Sequence, residues 1–262
     1  MSSNISRRKF IESSVFAAAG LTVVPSSVMG GSLGHKAPSD KLNVVGVGVG
    51  GRDLKVLQGL ESESIIGLAD VDWKYSQRVF DYFPKAKKYL DYRKMYEELG
   101  NSIDAVVVAT ADHTHAIIAA EAITMGKHVY VEKPLTHSVY ESRLLTRLAA
   151  KYKVVNIMGN QGSSEAGVRQ VIDWIADGQI GEVRKVEAFT DRPIWPQGLM
   201  TPKEAHKVPK TLDWDLFIGP ANKRPFNEIY HPWNWRDWWD FGTGALGDMA
   251  CHILHPIFKG LN

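Results

Sequence analysis

Three glycines near residue 50 are spaced as in a site that binds the phosphates of a dinucleotide. Gly46, Gly48 and Gly51 follow an apolar run and precede a helix-compatible segment, residues 52–60. We expect Gly46 to permit the tight turn, Gly48 to let backbone approach a pyrophosphate, and Gly51 to let the helix pack closely on the strand. The helix N-terminus then offers free N–H groups and a partial positive charge to the phosphates. A glycine turn with a purely structural role is the alternative.

An acidic residue lies where the ribose of such a dinucleotide is expected. Residues 63–69 are typical of a second strand, and Asp70 follows nineteen positions after Gly51. A carboxylate at this distance binds ribose hydroxyls. Because it would also repel a 2′-phosphate, the sequence favours NAD over NADP as the cofactor.

The elements that must position these residues alternate between strands and helices from residue 42 to about residue 158. After the first strand and helix, the pattern predicts strands over 63–69, 88–90, 103–109, 128–131 and 154–158, and helices over 74–83, 93–99, 115–125 and 138–152. This alternation predicts an α/β fold with a doubly wound parallel sheet. Ligands of such sheets bind at the carboxyl ends of the strands. We therefore expect the loops at 46–51, 110–115, 132–135 and 159–163 to surround one cleft.

The character of the chain changes after residue 159. The sequence predicts a helix over 165–176, a strand over 183–189, and then an irregular, proline-rich region. Six of the eight tryptophans fall in that region: Trp195, Trp214, Trp233, Trp235, Trp238 and Trp239. Each could cover one face of a sheet, or offer a flat apolar surface to a sugar ring or to nicotinamide.

The N-terminus has the pattern of an export signal. Arg7 and Arg8 form a twin-arginine pair, and an apolar stretch over residues 15–24 follows. Ten residues are too few for a mature membrane helix, which needs roughly 20. We expect residues 1–35 to be a cleavable signal read by the twin-arginine export machinery, which places the mature protein in the periplasm. A basic leader on a cytoplasmic protein is the alternative.

Composition excludes several classes of protein. The 262 residues carry 31 basic and 29 acidic side chains, so there is no electrostatic case for nucleic acid as a partner. The single cysteine, Cys251, rules out an internal disulfide. No second apolar run is long enough to remain in a membrane after signal cleavage.

Four motifs together resemble one known family. The glycine fingerprint is followed by Thr110-Ala-Asp-His-Thr-His115, then by Glu132-Lys133-Pro134, then by Gly247-Asp248 with His252 four residues on. In this order they resemble the glucose–fructose oxidoreductase, inositol dehydrogenase and MocA (Gfo/Idh/MocA) family. The resemblance begins near residue 41 and runs to the end of the chain.

The resemblance implies two domains and a site between them. An NAD(P)-binding Rossmann domain would cover residues 40–159, and an α+β substrate domain with an open, mainly antiparallel sheet would cover 160–262 in incomplete form. A homo-oligomer and a carbohydrate or cyclitol substrate are implied as well. The implied catalytic residues are Lys133, Asp248 and His252. The implied cofactor-binding residues are Gly46, Gly48, Gly51, Arg52, Asp70, Thr110, His115, Glu132, Lys133, Gln161, Trp235 and Arg236.

Elementary chemistry supports the catalytic positions. Hydride transfer from a secondary alcohol needs a group that accepts the hydroxyl proton. Asp248 and His252 share one face if they are helical, so the carboxylate could orient the imidazole. We expect His252 to accept the proton and Lys133 to polarise the same oxygen. The reverse assignment of the two roles is the alternative. The alternative for Lys133 is a surface position without a catalytic role. The alternative for Asp248, His252 and His255 is that together they bind a metal.

Three classes of function follow from these observations. The leading one is an exported, NAD-dependent oxidoreductase that acts on a hydroxyl of a sugar, cyclitol or glycoside. The second is redox-neutral cleavage of a glycoside by oxidation and elimination, with the NAD retained. The third is a sugar-binding protein that has lost turnover, and the presence of Lys133, Asp248 and His252 counts against it.

Overall fold

A computed structural model of the chain describes residues 40–192 and 194–261. The predicted signal, residues 1–35, lies outside these described residues and stays a prediction. The strands are β1 (Asn43–Val47), β2 (Ser64–Ala69), β3 (Lys87–Tyr89), β4 (Ala105–Val108), β5 (His128–Glu132) and β6 (Asn156–Gly159). The helices between them are α1 (Asp53–Gln58), α2 (Trp73–Tyr82), α3 (Tyr92–Leu99), α4 (Asp112–Thr124) and α5 (Val139–Tyr152).

The six strands form one parallel sheet in the order β3-β2-β1-β4-β5-β6. This is the strand order of the doubly wound dinucleotide-binding fold, so the predicted fold class is confirmed. The order reverses between β1 and β4, where two adjacent strands send their connections to opposite faces. A crevice opens at that point beyond the carboxyl ends of the strands, and it is where such sheets bind ligands.

Both faces of the sheet are buried because the inner strands are apolar on both sides. In β4, Val106 and Val108 face one hydrophobic cluster with Ile123 and Leu145, whereas Val107 faces the other. Alternate residues of a strand point to opposite faces, which explains this division. Three of the helices that cover the faces, α2, α3 and α5, have side-chain caps at their N-termini, from Asp72, Asp91 and Ser138. Ser138 forms a capping box with Glu141 at the start of α5.

The part of the chain after β6 is helical and irregular. It contains α6 (Ala166–Ala176), α7 (Trp214–Ile218), a 3₁₀ turn (Asn234–Asp237), α8 (Gly244–Ile253) and α9 (His255–Gly260). A separate aromatic cluster forms here, with Trp214, Phe217, Tyr230, Trp238 and Phe241 buried together against Ala111 from the sheet half of the molecule. This cluster docks the C-terminal half onto the ends of the strands.

The strand predicted over 183–189 is wrong. These residues are irregular and largely exposed, with Phe189 88% exposed. A strand is stable only when neighbouring strands complete its hydrogen bonds, and none of the described residues pairs with this segment. The other predicted elements agree with the structure to within a few residues. The largest shift is at α4, which begins three residues before the predicted start at 115.

The described part of the chain has no helix with the length and apolar character needed to cross a membrane.

Candidate active site

A cavity of about 1100 Å³ lies at the carboxyl ends of the strands, between the sheet half and the C-terminal half. Its walls include Gly48, Asp70 and Lys133 from the strand ends, and Asp248 and His252 from α8. The cavity has the size of a cofactor or substrate site. The structure therefore brings the predicted binding and catalytic residues other than Gly46 together around one space.

The glycine fingerprint forms the expected turn, but its glycines have different roles from those predicted. Gly46 lies inside β1, where an added Cβ would be 2.8 Å from Asp53 Oδ2. Gly48 has the positive φ of +80° that the tight turn needs, and an added Cβ would lie 2.6 Å from the Thr110 N. Gly51 has open space around it, since its nearest atom is 3.7 Å away. Close helix packing thus belongs to Gly46 and the turn belongs to Gly48, because β1 extends one residue beyond the first glycine.

Asp70 lies directly after β2, as predicted, with its carboxylate bound to the glycine loop. Its Oδ2 accepts a hydrogen bond of 2.8 Å from the Gly50 N–H, and its Oδ1 accepts one of 2.8 Å from the Asp72 N–H. Burial raises the pKa of Asp70 to about 6, against the effect of these two hydrogen bonds. Asp70 therefore fixes the shape of the loop and still has lone pairs for a ribose hydroxyl.

Lys133 and Asp248 form an ion pair in the cavity wall. The Lys133 Nζ lies 2.6 Å from Asp248 Oδ1 and 3.1 Å from the Asp248 carbonyl oxygen. The Arg236 Nε is 3.6 Å from the same carboxylate oxygen. The prediction that Asp248 orients the His252 imidazole is therefore wrong. Its carboxylate is occupied by the two cations and positions Lys133 instead.

His252 is oriented by the backbone of Gln161. Its Nδ1 lies 3.3 Å from the Gln161 carbonyl oxygen. A carbonyl only accepts, so the ring hydrogen is on Nδ1 and the lone pair of the neutral ring is on Nε2. Burial and the nearby Lys133 charge lower the pKa of His252. These effects favour the neutral ring, whose Nε2 can accept a proton.

Arg236 lies among three indole rings that line the cavity. Its guanidinium carbon is 4.0 Å from the ring centre of Trp233, 4.2 Å from that of Trp235 and 5.9 Å from that of Trp195. Cation–π attraction of this kind holds a planar guanidinium in place. Burial lowers the pKa of Arg236, although the carboxylate of Asp248 opposes this. Trp235 also belongs to the aromatic cluster, together with Trp214 and Trp238, whereas Trp239 is 80% exposed.

The other predicted cofactor residues have two different environments. Arg52 at the start of α1, Thr110 and Glu132 line the cavity, and burial raises the pKa of Glu132 while Arg52 opposes it. His115 is only 1% exposed, and its two ring nitrogens face the carbonyls of Pro134 at 2.8 Å and Thr110 at 3.1 Å. His115 thus braces the loop that carries Lys133 and also lines the cavity, and its role in cofactor binding stays a prediction.

Two residues beside the glycine loop are missed by the sequence analysis. The Tyr75 ring covers Gly50 so closely that an added Cβ would be 2.2 Å from its Cδ1. Asp53 is fully buried, with no hydrogen-bond partner for either carboxylate oxygen among the described residues. Burial raises the pKa of Asp53 well above its ordinary value, with Glu132 and Asp70 adding to the effect. Only the position of Asp53 next to the fingerprint could have suggested it.

The alternative of a metal site has no geometric support. Among the described residues, no three His, Cys, Asp or Glu side chains converge as metal ligands would, and Asp248, His252 and His255 do not form such a group.

Comparison with protein families identifies the chain. One model, described as an oxidoreductase family with an NAD-binding Rossmann fold, matches residues 41–160. A second, the C-terminal alpha/beta domain of the same family, matches residues 169–261. The chain belongs to the Gfo/Idh/MocA oxidoreductase family. The two matches together cover both halves of the cavity, so this Gfo/Idh/MocA protein has the NAD-binding fold and matches the C-terminal alpha/beta domain of the family. The open, mainly antiparallel sheet expected after residue 159 is not formed by the described residues, which are helical and irregular there.

The individual relatives are only distantly similar to this chain in sequence. An uncharacterized oxidoreductase of Synechocystis sp. (strain ATCC 27184 / PCC 6803 / Kazusa) is 26% identical over 85% of this chain and 52% of its own length. A glycosyl hydrolase family 109 protein of Shewanella sp. (strain ANA-3) is 29% identical over 71% of this chain and 46% of its own. The chain thus spans about half the length of these curated relatives. Among solved structures, the 3-ketoreductase KijD10 of Actinomadura kijaniata is 26% identical, with a TM-score of 0.48 over 55% of this chain and 46% of that one.

The residues at the cavity fit NAD. At Gly48 and Gly50 an added Cβ would overlap Thr110 and the Tyr75 ring, and both glycines line the cavity with bare backbone, as a pyrophosphate site requires. Asp70 supplies a buried carboxylate at the ribose position. Lys133 and His252 lie further along the same cavity. The chemistry of these residues therefore suits a bound NAD.

Proposed function

We propose that this protein is an NAD-dependent oxidoreductase that transfers hydride between nicotinamide and a hydroxyl of a sugar, cyclitol or glycoside. The observation that carries the proposal is the single cavity that joins the glycine loop to the Lys133–Asp248 pair and His252. A cavity with a phosphate-binding loop and an adjacent proton acceptor meets the two requirements of alcohol oxidation.

Binding of the cofactor falls to the loop residues. Backbone N–H groups at the start of α1 would hold the pyrophosphate, and Asp70 would accept hydrogen bonds from the ribose. The carboxylate of Asp70 also opposes a 2′-phosphate, which supports NAD over NADP. When bound, nicotinamide accepts a hydride from the alcohol carbon or returns one to the ketone.

The proton is handled by His252 and Lys133. The His252 ring is held through Nδ1, and its Nε2 carries the free lone pair. Nε2 therefore accepts the hydroxyl proton as the carbonyl forms. The Lys133 ammonium donates to the same oxygen and stabilises its developing charge. Asp248 holds the ammonium in that position through the 2.6 Å contact. Trp195 and Trp233 offer apolar surfaces that suit a sugar ring.

A substrate panel tests this proposal. The purified protein is incubated with NAD and with hexoses, inositols and their glycosides, and NADH absorbance is followed. We expect NADH formation with at least one member of the panel. The proposal is contradicted if no member changes the nicotinamide absorbance and no substrate C–H exchanges its hydrogen.

Redox-neutral glycoside cleavage is the second candidate, and the similarity to the glycosyl hydrolase family 109 protein favours it. In this reaction a ring carbon gives up its hydride, a base removes the now acidic neighbouring C–H, and the glycosidic oxygen leaves with the bonding electrons. Water then adds, and the hydride returns to the ketone carbon. Solvent deuterium in the released sugar without net NADH would indicate this route, whereas NADH without solvent deuterium would indicate a dehydrogenase.

We further propose that the protein is exported to the periplasm by the twin-arginine route and acts there as a homo-oligomer. Arg7 and Arg8 with the apolar stretch after them support export. This route carries folded proteins, so the enzyme would acquire its dinucleotide in the cytoplasm before export.

A further inference from the structure

The start of α8 is tied to a buried carboxylate of the sheet half. Asp112 is only 2% exposed, and its Oδ2 accepts hydrogen bonds from Thr243 N at 3.2 Å and Thr243 Oγ1 at 2.9 Å. Thr243 occupies the N-cap position of α8, although its side chain forms no capping hydrogen bond within the helix. Two donors from one residue therefore converge on a single carboxylate oxygen that lies across the boundary between the two halves.

The two residues before Thr243 are also held by the sheet half. The Phe241 carbonyl accepts a hydrogen bond from the His113 N–H at 3.2 Å, and His113 Nδ1 lies 3.2 Å from the same oxygen. The Gly242 carbonyl lies 3.0 Å from His137 Nε2. Three consecutive residues are thus each bound by a different side chain of the sheet half. These contacts fix where the backbone enters α8.

The helix that begins there carries the proton-handling residues. Asp248 and His252 lie one and two turns into α8, and their partners Lys133 and Gln161 lie outside the helix. A shift of the helix start would move both residues relative to those partners. Misplacement of a catalytic group by about 1 Å can cost about 10²-fold in rate.

A carboxylate suits this position for electrostatic reasons. A negative charge near a helix N-terminus is stabilised by the free N–H groups and the helix dipole. Burial raises the pKa of Asp112, but His115, the Thr243 hydrogen bond, Lys133 and Arg236 all act in the opposite direction. Asp112 therefore also belongs to the charge network of the cavity wall.

We propose that Asp112 is a positioning residue that sets the start of α8 through Thr243. In this way it places Asp248 beside Lys133, and it places His252 in the cavity. Both hydrogen bonds from Thr243 reach Oδ2, so we assign the action of Asp112 to the helix, although Asp112 also lines the cavity. The effect on turnover rests on the proposed function, whereas the effect on the helix does not.

The test compares Thr243→Val, which removes one hydroxyl and keeps the shape of the side chain, with Thr243→Ser, which keeps the hydroxyl. Asp112→Asn removes the charge, and Thr146→Val is the control, because Thr146 loses only a bond to Ser142 within α5. Hydrogen–deuterium exchange of the peptide covering residues 244–253 is measured, together with kcat and the Kd for NADH.

We expect Thr243→Val and Asp112→Asn to speed exchange in residues 244–253 while β1 to β6 stay protected, and Thr243→Ser and Thr146→Val to leave that peptide unchanged. We expect kcat to fall by about 10²-fold in the first two variants with the Kd for NADH unchanged. The proposal is overturned if that peptide exchanges no faster than in Thr146→Val. If Asp112→Asn does not fold, Thr243→Val alone decides. If the wild type turns over no substrate but the exchange result holds, the proposed function fails and the positioning role stands.

Discussion

Among the individual side chains, Asp70 makes the preference for NAD over NADP depend on pH. Its pKa of about 6 means that the carboxylate is charged at pH 8 and largely neutral at pH 5. Repulsion of a 2′-phosphate should therefore weaken as the pH falls. We predict that the preference for NAD over NADP is large at pH 8 and smaller at pH 5, measured as the ratio of the two Kd values by calorimetry.

Asp70→Asn is the matched control for that prediction. The amide carries no charge at either pH, so the variant should show a small, nearly constant preference. It should also bind NAD more weakly, by about 1.5–3 kcal/mol for a lost hydrogen bond to a charged group. An unchanged preference and affinity in Asp70→Asn would remove Asp70 from the ribose site.

Asp53 predicts a pH dependence of stability. Because its folded-state pKa lies well above the ordinary value of 3.8, the folded protein binds a proton more tightly than the unfolded chain does. This contribution to stability is full below that ordinary value, and it is lost as the pH rises towards the folded-state pKa. We predict that Asp53→Asn lessens the fall in the free energy of unfolding between pH 4 and pH 8, measured by urea denaturation. Asp81→Asn, at an exposed carboxyl on α2, should leave the fall unchanged.

At the scale of secondary-structure elements, Gly48 and Gly51 in the turn between β1 and α1 differ in how strongly the structure requires a glycine. Gly48→Ala should destabilise the protein by at least the roughly 1–2 kcal/mol that left-handed backbone costs a residue with a Cβ. The overlap with Thr110 backbone at 2.6 Å adds to this. Gly51→Ala should change the free energy of unfolding by less than about 0.5 kcal/mol. Denaturant unfolding of the two variants gives the comparison, and equal losses would contradict the assigned roles.

Most of the sheet half could be predicted from local sequence patterns. The features that were not predicted depend on contacts between residues far apart in the chain. β4 and the acid after β2 could be predicted because apolar runs and the spacing from Gly51 are local features. The partner of Asp248 could not, because Lys133 is 115 residues away and either cation or imidazole would suit a carboxylate. The same reason hides Asp112, whose partner Thr243 is 131 residues away. The strand predicted over 183–189 is wrong because none of the described residues pairs with this segment, and pairing is not visible in a local pattern.

For the chain as a whole, the export signal is a prediction that genetics can test. Replacing Arg7 and Arg8 by lysines keeps the charge but removes the pair of guanidinium groups that the export machinery reads. We predict that the precursor of this variant stays in the cytoplasm, measured by fractionation and immunoblotting of the full chain. A variant with Lys41 changed to Arg should be exported normally. Normal export of the double lysine variant would contradict the twin-arginine interpretation.

The assignment of the two halves to one enzyme depends on Lys133 and His252 serving the same substrate oxygen. The decisive measurement is a double-mutant cycle of kcat with Lys133→Met and His252→Gln, using NAD and a substrate that the wild type turns over. Each single variant should lose about 10²–10⁴-fold in kcat and still bind NADH. The double variant should lose far less than the product of the two, because the residues act as a unit, and His255→Gln should be mild. Wild-type kcat in either single variant, or losses that multiply fully, would contradict the shared site.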